Sequence, residues 1–360
     1  MSGGGGPVSW ELAERVAVKV AGREPLEASY HYATLQPDFE ELTAEAEELV
    51  AQATGLRSLA GPARARVTDR AGWVRANLAS FQRLLRPVTE KLGPRLDKSP
   101  IAPVSRAVAG AQLGTMLGWM STRVLGQYDL LLVEDERPED QDIVYYVGPN
   151  VLSLEKRFAF PPREFRLWLA LHEVTHRAQF TGIPWMRDHF RSLVERSLDS
   201  LDPDPKRFLE ALRRAVDEVR AGRNPLDEGG VIALLAGPEQ HAVLVQVQGL
   251  MSLLEGHGDI TMDRAGADRI PSAERFARVL RERRASVGGP ARLLQKLIGL
   301  EAKMRQYEEG ERFIEAVEAT GGPALLDRAW EGPELLPTLA EIRDPDLWVT
   351  RVQLRPAANR

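Results

Sequence analysis

The chain of 360 residues contains no cysteine. That absence excludes disulfides, thiolate nucleophiles, iron–sulfur clusters and zinc sites built on cysteine, so a metal here has only His, Asp and Glu to hold it. Histidine is itself sparse, with six in the chain. Neither sign of charge dominates: 47 Lys and Arg stand against 52 Asp and Glu, a net charge of −5. Such mild acidity argues against a phosphate-tracking surface, and no nucleic-acid partner is expected. No apolar run approaches the roughly twenty residues a membrane span needs. The most apolar stretch, Ala107 to Met120, includes Gln112 and Thr115 and reads as a buried helix, so no membrane partner is expected either. The start, Met1 to Pro7, lacks the basic and apolar regions of a signal peptide. It reads as a flexible tail, and the cytoplasm is the expected compartment. Phosphate-cradling loops, nucleophile elbows and internal repeats are also missing.

What is present is ordinary folding material, 43% hydrophobic and 28% charged. Apolar residues recur at three- and four-residue spacing over Trp10–Val20, Leu35–Thr54, Ala63–Leu92 and Val104–Leu125, which predicts a helical first third. Asp129–Glu134 and Ile143–Val147 read as two short strands joined by a charged loop. Pro161 and Pro162 open a helix that runs to about Phe180, before Gly182 and Pro184. Further helices are expected at Trp185–Leu198, Pro205–Arg220, Glu239–Leu254, Ala273–Ala285 and Pro290–Ala319. Breaks are expected at Gly- or Pro-rich points, Gly256–Gly258 among them. The end, Trp330–Val352, carries three prolines and reads as an extended segment packed on the body.

The helix from Pro161 contains Leu171-His172-Glu173-Val174-Thr175-His176, an HExxH motif. Residues four apart share a helix face, so both imidazoles can address one metal, while Glu173 sits one step round and can reach a water on it. Zinc in such a site acidifies its water, and a carboxylate takes the proton as the water attacks a carbonyl. The helix is apolar on several sides, with Leu167, Leu171, Val174 and Ala178 in one stripe and Phe165, Trp168, Leu169 and Phe180 in another. Two histidines and a glutamate in a buried helix want partners, and a metal ion would be one.

The metzincin continuation is excluded, since Gln179 and Gly182 stand where its Gly and third His belong. The third ligand is sought in Leu254-Glu255-Gly256-His257-Gly258-Asp259. Glu255 is read as ending an apolar helix, where a carboxylate opposes the helix dipole unless a cation is near. Asp259, four residues on, could accept the free ring N–H of a liganding histidine. His257 competes as ligand, or serves as a proton donor to a developing oxyanion. His241 and His189 remain further alternatives for the ligand. Tyr307, beside Lys303 and Arg305, offers a phenol that could steady an oxyanion. His31 lies in an aromatic stretch and reads as a packing residue.

With these residues in place, the chain resembles the zincin-like metallopeptidases, including their branch associated with coenzyme F-420 biosynthesis. The resemblance runs through Trp73-Val-Arg-Ala-Asn77, Phe81-Gln-Arg-Leu-Leu85, His172 to His176, Met251 to Asp259 and Gly299 to Tyr307. It implies a mainly α fold with a small β-sheet and the HExxH helix in the active site. It also implies zinc on His172 and His176, with Glu173 as base. An ExxxD pair after HExxH, here Glu255 and Asp259, is similar to the gluzincin arrangement. The expected layout is a tail at 1–8, a helical region at 9–128, a zincin-like core at 129–265 and a helical region at 266–360, together one compact unit. The expected activity is hydrolysis of a peptide or small amide by zinc-bound water. A non-catalytic zinc protein accessory to the coenzyme pathway is the alternative.

Overall fold

Ser9 and Ser29 stand at the starts of the first two helices, α1 (Trp10–Ala21) and α2 (Tyr30–Thr54), and Gly55 closes the second in a left-handed conformation. The computed structural model describes residues 7–23, 26, 29–86, 89–90, 100–128, 142–199, 238–285 and 300–354. The chain divides into two compact units: residues 1–178 with 265–276, and 179–264 with 277–360. The fold is mainly α with a small sheet.

In the first unit the expected helix over Ala63–Leu92 is instead a strand, β1 (Arg64–Thr68), followed by α3 (Arg70–Leu84). Asp69 separates them by capping α3 and accepting the Gly72 N–H, while β-branched Val67 and Thr68 suit the strand. Next come α4 (Ala102–Ser121), β2 (Gly126–Tyr128) and β3 (Ile143–Val147). The strand expected at Asp129–Glu134 lies outside the described residues. The sheet order is β1-β3-β2, with β3 parallel to β1 (Arg64 opposite Ile143) and antiparallel to β2 (Tyr128 opposite Val144). Central β3 is apolar nearly throughout because both faces are covered. Its Tyr146 stacks on Phe39 at 3.8 Å and shares a 2.8 Å hydrogen bond with Thr43. Burial pushes that phenol above its usual range.

The free edge of β1 is occupied by a side chain. The Gln36 carboxamide donates to the Ala65 carbonyl at 3.0 Å and accepts the Val67 N–H at 2.7 Å, copying a neighbouring strand's hydrogen bonds. Two of the backbone groups that the edge would offer another chain are thereby taken up. Helices α1, α3 and α4 pack around Ala13, Ala17, Trp73, Val74, Leu78 and Leu117. No helix among the described residues is long and apolar enough to cross a membrane.

Two helices follow the sheet. The sequence reading did not include α5 (Gly148–Phe158), which ends on Ala159 in the left-handed region. The second is the motif helix, α6 (Pro162–Gly182). Phe160, Phe165, Trp168 and Phe276 form an aromatic cluster around its first turns, with ring centroids 4.7–6.3 Å apart. That cluster and the buried Arg166–Glu155 ion pair fix the start of α6.

The second unit contains α7 (Met186–Asp199), most of α8 (Pro238–Gly266), the later part of α9 (Ala273–Ala285), and α10 (Leu300–Gly321). The helix expected at Pro205–Arg220 lies outside the described residues. The expected break at Gly256–Gly258 does not occur, and α8 runs straight through it. Close approach explains the glycines: a Cβ on Gly256 would come within 2.4 Å of the Gly310 backbone, and one on Gly310 within 1.9 Å of the Ser252 carbonyl oxygen. Two helix backbones touch here, so Gly310→Ala should cost at least the roughly 1–3 kcal/mol of an overpacked core. A lowered urea midpoint at unchanged m-value would show it.

The C-terminal stretch is also not extended. Short helices α11 (Pro323–Asp327), α12 (Leu339–Arg343) and α13 (Pro345–Gln353) alternate with 3-10 turns at Arg328–Trp330 and Pro333–Leu335. Two of the prolines that suggested extension, Pro333 and Pro345, stand at first helical positions, where the missing N–H costs nothing, and the third, Pro337, directly precedes the Thr338 cap of α12. Thr338 and Glu341 add a full capping box. Phe313, Ile314, Val317, Trp348 and Val352 form this unit's core with Leu253.

Candidate functional site

His172 and His176 stand one turn apart on α6 in the first unit, as their spacing requires. Their Nε2 atoms are 3.3 Å apart and their rings nearly perpendicular, at 86°. Two nitrogens bound to one tetrahedral zinc at about 2.0–2.1 Å would be separated by about 3.3 Å. The pair therefore has the spacing of two zinc ligands. Both rings are half-buried, while Glu173 between them is buried.

Glu173 turns to the sheet. Its Oε2 accepts the backbone N–H of Tyr128 in β2 at 3.0 Å. Across from it sits Gly126, where a Cβ would come within 2.7 Å of Oε1 and 2.8 Å of Cγ. The strand thus supplies both a slot and a donor for this carboxylate. Gln127, between those two residues, points the other way by the alternation of a strand. Its Oε1 accepts from Trp73 Nε1 at 2.7 Å, and its amide nitrogen donates to Asn77 Oδ1 at 3.1 Å. β2 is therefore held on one face by Trp73 and Asn77 while its other face holds Glu173.

The next turn of α6 ties the helix to the same strand. The Tyr128 hydroxyl donates to Asp142 Oδ1 at 2.9 Å. Asp142 in turn receives Arg177 through Nε at 3.1 Å and Nη2 at 2.6 Å. Arg177 also reaches Glu47 and the Gly61 carbonyl, each at 2.6 Å. Burial works against its charge and the Asp142 hydrogen bond supports it, with the net result that its pKa is raised.

The remaining candidates belong to the second unit. Glu255 is 2% exposed on α8, in mid-helix. The expectation that it ends a helix, and the dipole argument built on that, are corrected: α8 continues through Gly266. Because the helix is unbroken, Glu255 and Asp259 lie one turn apart on it. Asp259 hydrogen-bonds Glu311, whose carboxyl is pushed up by burial and further by Asp263 and Glu315. His257 is buried against Trp330, edge to face at 5.2 Å, and its Nδ1 lies 3.0 Å from Gln179 Nε2. Trp185 holds the Trp330 carbonyl through Nε1 at 3.0 Å.

His189 packs on Trp185, and burial lowers its pKa. His241 is exposed at the start of α8, and His31 is exposed beside Tyr30. The Tyr307 side chain lies outside the described residues. Sequence reasoning missed Gly126, the Tyr128 N–H and the partnership of Gln179 with His257. The only signals were Trp73 and Asn77, noted as a motif without a role, and Gln179, noted only for not being glycine.

The pattern of the zincin-like metallopeptidase family matches residues 8–349. A crystal structure of a protein from Chloroflexus aurantiacus, described as a candidate hydrolase with a novel fold, is similar over 97% of this chain and 100% of its own. The identity is 30% and the TM-score 0.70. No curated protein matches the chain.

Proposed function

The chain belongs to the zincin-like metallopeptidase family, and from that premise we propose that it is a zinc-dependent hydrolase of peptides or small amides with Glu173 as general base. The observation that carries this reading is the His172–His176 pair, with Nε2 atoms at the separation two zinc ligands take, beside a carboxylate anchored by its own strand. With Glu255 as the third ligand they would make a two-imidazole, one-carboxylate donor set of the kind that can hold a metal ion. When bound, zinc would supply Lewis acidity to a carbonyl and to a water.

The chain's own residues do the rest. Glu173 accepts the proton of the attacking water and returns it to the leaving nitrogen. Its Oε2 is pinned by Tyr128 N–H, so the carboxylate needs no reorientation between the two transfers. His257 or Tyr307 donates to the developing oxyanion. Asp259 serves as an outer-shell carboxylate.

Metal analysis tests the core of this. The purified chain should hold about one zinc, and His172→Ala and His176→Ala should each weaken it by more than the roughly 10–100-fold typical of outer-shell changes. A wild-type chain that takes up no stoichiometric zinc on titration overturns the metal site. A zinc-loaded chain that cleaves nothing in peptide and small-amide libraries overturns the hydrolase.

A further inference from the structure

Gln179 is the third residue after His176, at the C-terminal end of α6, and belongs to the second unit with His257. It is fully buried. Its Nε2 lies 2.9 Å from the Leu254 carbonyl oxygen and 3.0 Å from His257 Nδ1. A carbonyl oxygen carries no hydrogen, so the Gln179 atom facing it has to be the amide nitrogen rather than the oxygen. That nitrogen has two hydrogens. One goes to Leu254, and the other points at Nδ1, which must therefore present a lone pair. A neutral imidazole with its lone pair on Nδ1 carries its hydrogen on Nε2.

From this geometry we propose that Gln179 is a positioning residue that fixes His257 as the Nε2–H tautomer, making His257 a hydrogen-bond donor and not a metal ligand. Nδ1 is engaged by the amide, and in this tautomer Nε2 has no lone pair for a cation. The ring is held from another side by Trp330, whose backbone is tied to Trp185. An Nε2–H donor is what a developing oxyanion requires. That catalytic consequence rests on the hydrolase reading above, while the tautomer does not.

The test is long-range proton–nitrogen NMR on the full chain labelled at histidine nitrogen, with the His257 signals identified by their loss in His257→Gln. Wild type should show Nε2 protonated and Nδ1 bare. Gln179→Glu replaces the donor by a near-isosteric acceptor and should reverse the pattern, giving Nδ1–H. A wild-type spectrum with Nδ1 protonated overturns the proposal, as does a folded Gln179→Glu variant with an unchanged pattern. Should that variant fail to fold, the wild-type spectrum alone decides. Zinc content supplies a second readout: His257→Gln should keep the wild-type stoichiometry, and loss of zinc would make His257 a ligand and sink the idea. A wild type that binds no zinc would defeat the metal reading and leave the tautomer result standing.

Discussion

Glu173→Gln should lower turnover on any substrate the wild type cleaves by roughly 10²–10⁴-fold, the usual contribution of a positioned general base, with zinc content unchanged. The substitution isolates the chemistry because it preserves the geometry. A glutamine carbonyl oxygen can still accept the Tyr128 N–H, now 3.0 Å from Oε2, and the side chain still fits the slot opposite Gly126. Only the capacity to take a proton disappears. Gly126→Ala offers the complementary perturbation. Its Cβ would fall 2.7 Å from Oε1, so the carboxylate must shift although its basicity is kept. A shift of that size should reduce turnover and leave zinc bound, since His172 and His176 are untouched. Full activity in Glu173→Gln would end the base assignment, and loss of zinc in it would show that Glu173 helps hold the metal.

These two variants also mark where the sequence could be read and where it could not. HExxH states its own geometry, because four residues make about one helical turn and the two imidazoles must share a face. The spacing predicted for His172 and His176 is what α6 shows. Glu173's position depends on a three-residue strand nearly fifty residues earlier in the chain. Gly126-Gln127-Tyr128 is too short to announce itself, and nothing local says that its backbone will serve a helix so distant in sequence. Local patterns misled wherever tertiary contact decided the outcome. At Ala63–Thr68 the misreading is one of period: Ala63, Ala65 and Val67 alternate with polar residues as in a strand, but the helical spacing that follows them extends the expected helix back over the segment, which β3 and Gln36 flank as a strand. Gly256 and Gly258 look like a break, yet α8 continues because Gly256 faces Gly310 in a helix crossing that admits no side chain. Pro333 and Pro345 look extended and instead begin helical turns, since the sign of a proline depends on whether it falls at the first helical position or later. Composition and period identified the fold class and the motif helix. Long-range hydrogen bonds fixed the rest, and a single sequence does not display them.

The largest effect on stability is expected from Arg177→Met, at about 3–5 kcal/mol, the range seen when one partner of a buried ion pair is removed. Arg177 is 1% exposed and its guanidinium satisfies Asp142, Glu47 and the Gly61 carbonyl at once. Methionine keeps much of the volume but strands a carboxylate at Asp142 that is 7% exposed. The cost is therefore assigned to an unpaired buried charge rather than to a cavity. Arg177→Met combined with Asp142→Asn checks that assignment. Asparagine carries no charge and tolerates the positive φ of 54° at this position, so the double variant should recover part of the loss in urea unfolding at fixed m-value. Equal losses in single and double variants would instead place the cost in packing or in the Glu47 and Gly61 contacts. The same variant bears on the site. Asp142 accepts the Tyr128 hydroxyl, and the Tyr128 N–H holds Glu173. Loosening Asp142 should thus reach the base through β2, reducing turnover in the folded fraction while zinc remains on the two histidines. Arg177→Lys, which keeps the charge but cannot make the forked contact to Asp142, should fall between wild type and methionine in both respects.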